Sequence, residues 1–354
     1  MHSLFKFLSF FVVMVSIGAN SLNSYRDSSI IDRFKNWVET HNIEATDDHH
    51  LARMFDNWLS NDKFIDETNS RNLTWTLGHN AYSGMNTDEF SEFMGFRANA
   101  ELLVQNQKSG FLRGSVPTVE QSDVSNTESL PSSIDWRQKG VVSEIQNQQN
   151  CGSCWSFSAT ATLESASAIK YGKLSKLSEQ ELVSCAGLKY GNLGCNGGMY
   201  DSAWNYVKDV GGQCLESAYP YTSGNGDTGS CVKGCTPVSG TKVTSYVDVT
   251  PNSDSAMMTA LNVCPISIAI EADARSFQMY TSGIYSDLQG CGNTLDHAVV
   301  LVGYNSDAGQ DYYILRNSWA TSWGENGYMR ISKGSQNGKY GMCGLLMEGM
   351  YPIV

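Results

Sequence analysis

The chain is short of histidine and of positive charge, and its first 150 residues contain no cysteine. Six histidines occur in 354 residues, and only His297 lies beyond position 79. Imidazole chemistry in the last two-thirds of the chain must therefore run through one residue. Acidic side chains outnumber basic ones, for a formal net charge of -12. That balance argues against nucleic acid, which is held mainly through basic residues. It speaks to solubility rather than to fold. After the first 20 residues, no apolar run reaches the ~20 residues that a spanning helix needs. Apolar residues nonetheless make up 41% of the chain, enough for a sizeable core.

In the opening MHSLFKFLSFFVVMVSIGAN, Lys6 precedes an apolar run from Phe7 to Ile17, followed by Gly18 and Ala19. This pattern predicts a signal peptide over 1–19 and entry into the secretory route. The ten cysteines fit that oxidising route, and all lie at or after Cys151. Their asymmetry divides the remainder into a cysteine-free region, 20–129, and a cross-linked region, 130–354. Asn72-Leu73-Thr74 is a glycosylation sequon in the former.

Residues 26–69 read as helical, with Phe34, Trp37, Phe55, Trp58 and Ile65 spaced to form a packing face. A turn-rich piece at 78–95 leads into a short helix. The polar stretch from about 104 to 130 suits an exposed, cleavable linker. Helices are expected after Cys154 and from Met199 to Asp209. Strands are expected in TKVTSYVDV, CPISIAI, AVVLVGY, DYYILR and GYMRIS, with Gly/Asn/Asp turns between them. A helical half joined to a β half makes their interface the natural place for a site.

Cys154 lies in QNCGSCWSFS, at the expected start of a helix. Cys151-Gly-Ser-Cys154 alone is a weak C-x-x-C signal, open to a redox pair or to half a zinc site with Cys185 and Cys195. The redox reading lacks a preceding strand, and the secreted context favours disulfides over zinc. A third reading bonds Cys151 elsewhere and leaves Cys154 as a thiolate favoured by a helix N-terminus and an imidazolium. His297, in LDHAVVLVGY, heads an apolar strand 143 residues downstream, a separation in the range of papain-like enzymes. Asn317 could orient the imidazole, and Trp319 could keep water from that bond. Gln148, six residues before Cys154, could donate to an oxyanion together with the Cys154 backbone N–H. Plain core packing would also account for Trp319 and Trp323.

With these residues in place, the chain resembles a papain-family cysteine protease of the cathepsin L-like branch, as a preproenzyme. The resemblance rests on LPSSIDWRQKG at 130–140, NQQNCGSCWSFS at 147–158, LSEQELVSC at 177–185 and GCNGGMYDSAW at 194–204. It continues through YPY at 219–221, LDHAVVLVGY and NSWATSWGENGY. It implies an α+β, papain-like two-subdomain fold, with a helical left domain and a β-barrel-like right domain. It implies Cys154 as nucleophile, His297 as acid and base, Asn317 as orienter and Gln148 as oxyanion donor, with a thioester intermediate. Gln149 departs from the family, which usually has glycine there.

Residues 20–129 resemble the family's inhibitory propeptide. Asn61 and FIDETN at 64–69 keep the end of its helical motif, while His50, Met54 and Trp58 replace the expected Glu, Arg and Phe. The later Gly-Asn-Phe-Asp pattern reads Gly78, Asn80, Tyr82 and Gly84. Such a segment lies along the cleft in the direction opposite to substrate, and maturation is expected near Ser129 or Leu130. Because two acidic positions are lost, His41, His49, His50 and His79 are candidates for an acid-sensitive release.

Family matching pairs Cys151 with Cys195, Cys185 with Cys231, and Cys291 with Cys343. Cys214 and Cys235 are a candidate extra pair, and Cys264 is expected to be a buried free thiol. Gly197 and Gly198 would let an extended peptide pair with the backbone. By family position, the pocket for the second residue before the scissile bond is lined by Met199, Tyr200, Ala269, Leu295 and Glu348. That lining predicts an apolar preference, with arginine admitted by Glu348. The resemblance implies protein and peptide substrates, the chain's own propeptide and cystatin-type inhibitors as partners, and a monomer. It calls for no metal or organic cofactor. The destination is a lysosome-like acidic compartment or the extracellular space. A silent binding protein is disfavoured because each catalytic position is filled. An exopeptidase is disfavoured because no insertion after Cys185 would plug the cleft.

Overall fold

The computed structural model describes residues 28–94, 118–119 and 130–354. The expected signal peptide at 1–19, most of the linker and the maturation point near Ser129 lie outside the described residues. The described chain opens with helices α1 (Ser28–Thr40) and α2 (Asp48–Asn69). The Asp47 side chain starts α2 by accepting the His50 backbone N–H at 2.8 Å, satisfying one of the helix's free donors. Phe34, Trp37, Phe55 and Trp58 pack between the helices in a small core of their own. Ile65, two turns further on, joins the main core instead. The short strand β1 (Trp75–Leu77) and helix α3 (Thr87–Met94) follow, and residues 118–119 form strand β2.

The rest of the chain has two lobes. Its first part carries β3 (Ile134–Asp135) and helices α4 (Cys154–Tyr171), α5 (Glu179–Cys185) and α6 (Tyr200–Val210). The second part runs β4 (Ser245–Val249), α7 (Asp254–Leu261), β5 (Ile266–Ile270), α8 (Arg275–Gln278) and β6 (Tyr280–Tyr285). It closes with β7 (His297–Asp307), β8 (Gln310–Arg316), β9 (Tyr328–Ser332) and β10 (Gly349–Ile353). The mixed sheet has the order β1-β6-β9-β8-β7-β5-β10-β4-β2, with β3 paired to β7. Helix α4 is buried from Cys154 to Ala168 because its serines, threonines and alanines let neighbours close around it. Its hydroxyls are satisfied: Ser158 donates to the Val299 carbonyl at 2.9 Å, and Thr162 to the Ser158 carbonyl at 2.9 Å. The Ser158 bond ties the helix that starts at Cys154 to the strand that starts at His297.

Strands from before residue 130 stand at both ends of the sheet order. β1 pairs antiparallel with β6, Trp75 opposite Gly283, and β2 pairs parallel with β4. Gly283 has φ +91, and a Cβ there would lie 2.2 Å from the Thr74 carbonyl oxygen. Only glycine permits this approach. Disulfides join Cys151 to Cys195, Cys185 to Cys231, Cys214 to Cys235 and Cys291 to Cys343. Cys154 and Cys264 are buried free thiols. No helix among the described residues is long and apolar enough to cross a membrane.

Candidate active site

Cys154 opens α4 with its side chain fully buried. Its partner in the C-x-x-C run, Cys151, is tied to Cys195, so the run is not a closed redox pair. Burial pushes the Cys154 thiol up to about 12, against the pull of the backbone N–H groups of Ala298 and Trp155. Ala298 follows His297, so the sulfur sits at the head of β7.

His297 is also fully buried, and its Nε2 lies 2.8 Å from Asn317 Oδ1. This bond fixes Nε2 as the protonated nitrogen and leaves Nδ1 with no partner. Trp319 stacks on the ring at 4.7 Å and screens the bond from water. Burial holds His297 down to about 4, with the Asn317 hydrogen bond acting the other way. Asp296, next in the chain, is pushed up to about 8 by burial, although it accepts the N–H groups of Ala272 and Asp273. In this closed state the thiol and imidazole are both neutral near pH 6.

Gln148 is wholly buried beside them. Its amide donates to the Cys151 carbonyl at 3.1 Å and accepts from Ser318 Oγ at 2.7 Å. Its backbone is held by Ser318 on one side and by the Tyr221 hydroxyl on the other. Gln149 has φ +52, the left-handed conformation that favours glycine. Its side chain lies against Gly224, where an added Cβ would meet its Oε1 at 2.3 Å.

Gly198 sits where a Cβ would come within 2.7 Å of the Trp155 ring, and Gly197 has φ +110. Met199 donates its N–H to Asn192 Oδ1, while Tyr200 is buried against Trp204. Ala269, buried on β5, donates its N–H to the Glu348 carbonyl at 3.4 Å. Leu295 is half-buried near Gly344, and Glu348 is half-buried just before β10. Asn72 is exposed in the turn after α2.

The propeptide closes this arrangement from above. The Met94 carbonyl lies 3.6 Å from Cys154 Sγ. Tyr82 and Phe90 set their rings edge-on against Trp319 at 5.6 and 5.3 Å. Asn80 donates to the Gln278 carbonyl at 2.7 Å, and Gln278 donates back to the Tyr82 carbonyl at 2.9 Å. Arg275 reaches Asn61 and Ser60 on α2 and lies 4.5 Å from the Phe64 ring. Residue types and spacing in the sequence did not show these contacts, because all but the Met94–Cys154 one join positions about 200 apart or more. The signals near them were the Gly-Asn-Phe-Asp resemblance, through Asn80 and Tyr82, and the end of the helical motif, through Asn61 and Phe64.

A papain family cysteine protease model matches residues 130–353, and a cathepsin propeptide inhibitor domain matches 34–90. The chain is 38% identical over 304 residues to digestive cysteine proteinase 1 of Homarus americanus, covering 84% of this chain and 87% of that one. Among solved structures it is similar to a recombinant stem bromelain precursor, with TM-score 0.80, 33% identity, and 92% and 99% of the two chains covered. Digestive procathepsin L 3 of Tenebrio molitor gives TM-score 0.77 and 32% identity, with 93% and 100% covered. The chain belongs to the papain family of cysteine proteases. Within that family it is a cysteine endopeptidase related to cathepsin L-like plant and insect enzymes, built as a zymogen with its own inhibitory propeptide.

Proposed function

We propose that Cys154, His297 and Asn317 hydrolyse peptide bonds in proteins by two-step acyl transfer. The observation that carries this reading is the buried Asn317–His297 bond, screened by Trp319, at the strand head where the Cys154 sulfur lies. Cys154 attacks the carbonyl, and His297 gives its proton to the leaving amine. Water then cleaves the thioester, with His297 taking its proton. The second N–H of the Gln148 amide and the Cys154 backbone N–H hold the developing oxyanion. Asn317 keeps Nδ1 turned to the sulfur.

Substrate runs extended past Gly197 and Gly198. Its second residue before the scissile bond enters a pocket formed by Met199, Tyr200, Ala269, Leu295 and Glu348. The small Ala269 leaves room for Leu, Val or Phe, and the Glu348 carboxylate pairs with arginine. The mature enzyme acts as a monomer, is open to cystatin-type inhibitors, and works in an acidic organelle or outside the cell. Cleavage at 129–130 separates it from the propeptide, and Asn72 carries a glycan.

Fluorogenic peptides with Phe, Leu or Arg at that second position test the reading on acid-processed protein. Activity is expected in the unmodified chain and absent in Cys154→Ala. The arginine-to-leucine ratio should fall in Glu348→Ala. An unchanged ratio would remove Glu348 from the pocket, and no cleavage by fully processed protein would defeat the peptidase reading.

A further inference from the structure

The propeptide's small core holds a cluster of charged and aromatic groups away from the active site. The His79 ring stacks on Trp58 at 4.4 Å, nearly parallel. Its Nε2 lies 3.1 Å from Asp62 Oδ1. Asp62 is buried and already engaged, because Arg33 holds both its oxygens at 2.8 and 2.7 Å. The neutral ring therefore carries its proton on Nε2 and donates to Asp62. Its Nδ1 is buried with no partner. A cavity of about 240 Å³, lined by Arg33, Trp37, His41, Trp58 and His79 among others, adjoins the ring. The charged groups facing the ring are Asp62 and Asp66 on α2, Arg33 on α1, and His41 beyond α1.

His79 also stands between two anchors. Gly78 donates its N–H to the Met279 carbonyl at 2.9 Å, and Asn80 donates to the Gln278 carbonyl. Both acceptors belong to the peptidase domain, at the end of α8 and just before β6. Whatever displaces the His79 ring pulls on both bonds.

We propose that His79 is the acid-sensitive latch of this propeptide, and that a second proton, at Nδ1, loosens the 78–80 segment from the peptidase domain. The proposal rests on the zymogen reading above. The second proton would create a buried N–H with no acceptor, beside Arg33 and His41. Asp62 cannot offset the new charge fully, since Arg33 already shares it. His79 is held below the ordinary imidazole value chiefly by burial, with Asp62 opposing, and His41 is lowered by burial and by His79. The sign follows. Above the unfolded value of about 6.5 both states are neutral and the fold bears no penalty. As pH falls below it, the opened segment takes up the proton first, and closure is progressively lost.

The test uses the full chain with Cys154→Ala, which cannot process itself, with and without His79→Gln. Glutamine keeps a donor for Asp62 and cannot charge. Amide exchange of residues 75–85, corrected for its intrinsic pH dependence, is followed from pH 7 to 4.5. Opening should rise by up to about fivefold between pH 6.5 and 5.5 in the His79 chain, and most of that rise should vanish in His79→Gln. Equal pH dependence in the two chains overturns the proposal. If His79→Gln does not fold, imidazole NMR of the Cys154→Ala chain decides instead. A His79 titration below 6.5 with Nδ1 taking the proton supports the latch, and one at or above 6.5 overturns it. Neither readout needs catalysis, so a failure of peptide cleavage would count against the peptidase reading and leave the latch standing.

Discussion

Gly283→Ala separates the inhibitory contact from the catalytic one. The new methyl would sit 2.2 Å from the Thr74 carbonyl oxygen, more than ~1 Å inside ordinary contact. The β1–β6 pair must part there. Two bonds beside the glycine go with it: Ile284 N–H to the Thr74 carbonyl, and Thr74 Oγ1 to the Ile284 carbonyl, both at 2.9 Å. At about 0.5–1.5 kcal/mol each, the loss is about 1–3 kcal/mol. That corresponds to roughly 5- to 150-fold more of the opened propeptide. Alanine at φ +91 also carries backbone strain of roughly 1–2 kcal/mol. The strain is present whether or not the propeptide is docked, so it lowers melting temperature without shifting the opening equilibrium. The assay is the alkylation rate of Cys154 in the unprocessed chain at pH 7, where the Met94 carbonyl covers the sulfur. The rate should rise by the same factor, while kcat/KM of the processed variant changes little. Alkylation at the unmodified rate would refute the claim that β1 pairing helps hold the cleft shut.

Gln149→Gly should relieve left-handed strain of roughly 1 kcal/mol at φ +52, partly offset by glycine's freedom in the unfolded chain. A slightly higher melting temperature is expected, and a fall would mean that packing on Gly224 outweighs the strain. Asn317→Ala leaves His297 Nε2 without its buried acceptor, a loss of about 1–3 kcal/mol. It should lower kcat/KM by roughly 5- to 150-fold, and a smaller change would deny Asn317 its orienting part.

Long, strongly patterned elements were legible in the sequence: α1 and α2, the helix from Cys154, and β5, β7, β8 and β9. The short or interrupted ones were not. β1 has three residues, Gly283 breaks the alternation of β6, and β10 contains both Gly349 and Pro352. Their pairing is set by partners far away in sequence, which local preference cannot reveal. His297, Asn317 and Trp319 were singled out from residue type and order, and they stand in contact. Nothing local marked Gln278 or Arg275 as the seats of the propeptide. His79 is one of four histidines in the propeptide region, with His41, His49 and His50. What sets it apart is tertiary: the Trp58 stack, the Asp62–Arg33 pair and the neighbouring anchors. Gln149 read only as a departure from glycine until its φ gave the reason.

The most direct test is the pH–rate profile for iodoacetamide alkylation of Cys154, before and after removal of the propeptide. In the closed chain, burial holds the thiol up near 12 and the imidazole down near 4, so both are neutral across pH 5–8 and alkylation should be slow throughout. Removing Met94, Tyr82 and Phe90 returns water to the site and favours the thiolate–imidazolium pair. The processed enzyme should then react rapidly by pH 6, and His297→Ala should abolish that acid-range reactivity. A processed enzyme whose Cys154 reacts only above pH 8, as a lone thiol would, contradicts a nucleophile activated by His297 and masked by the propeptide.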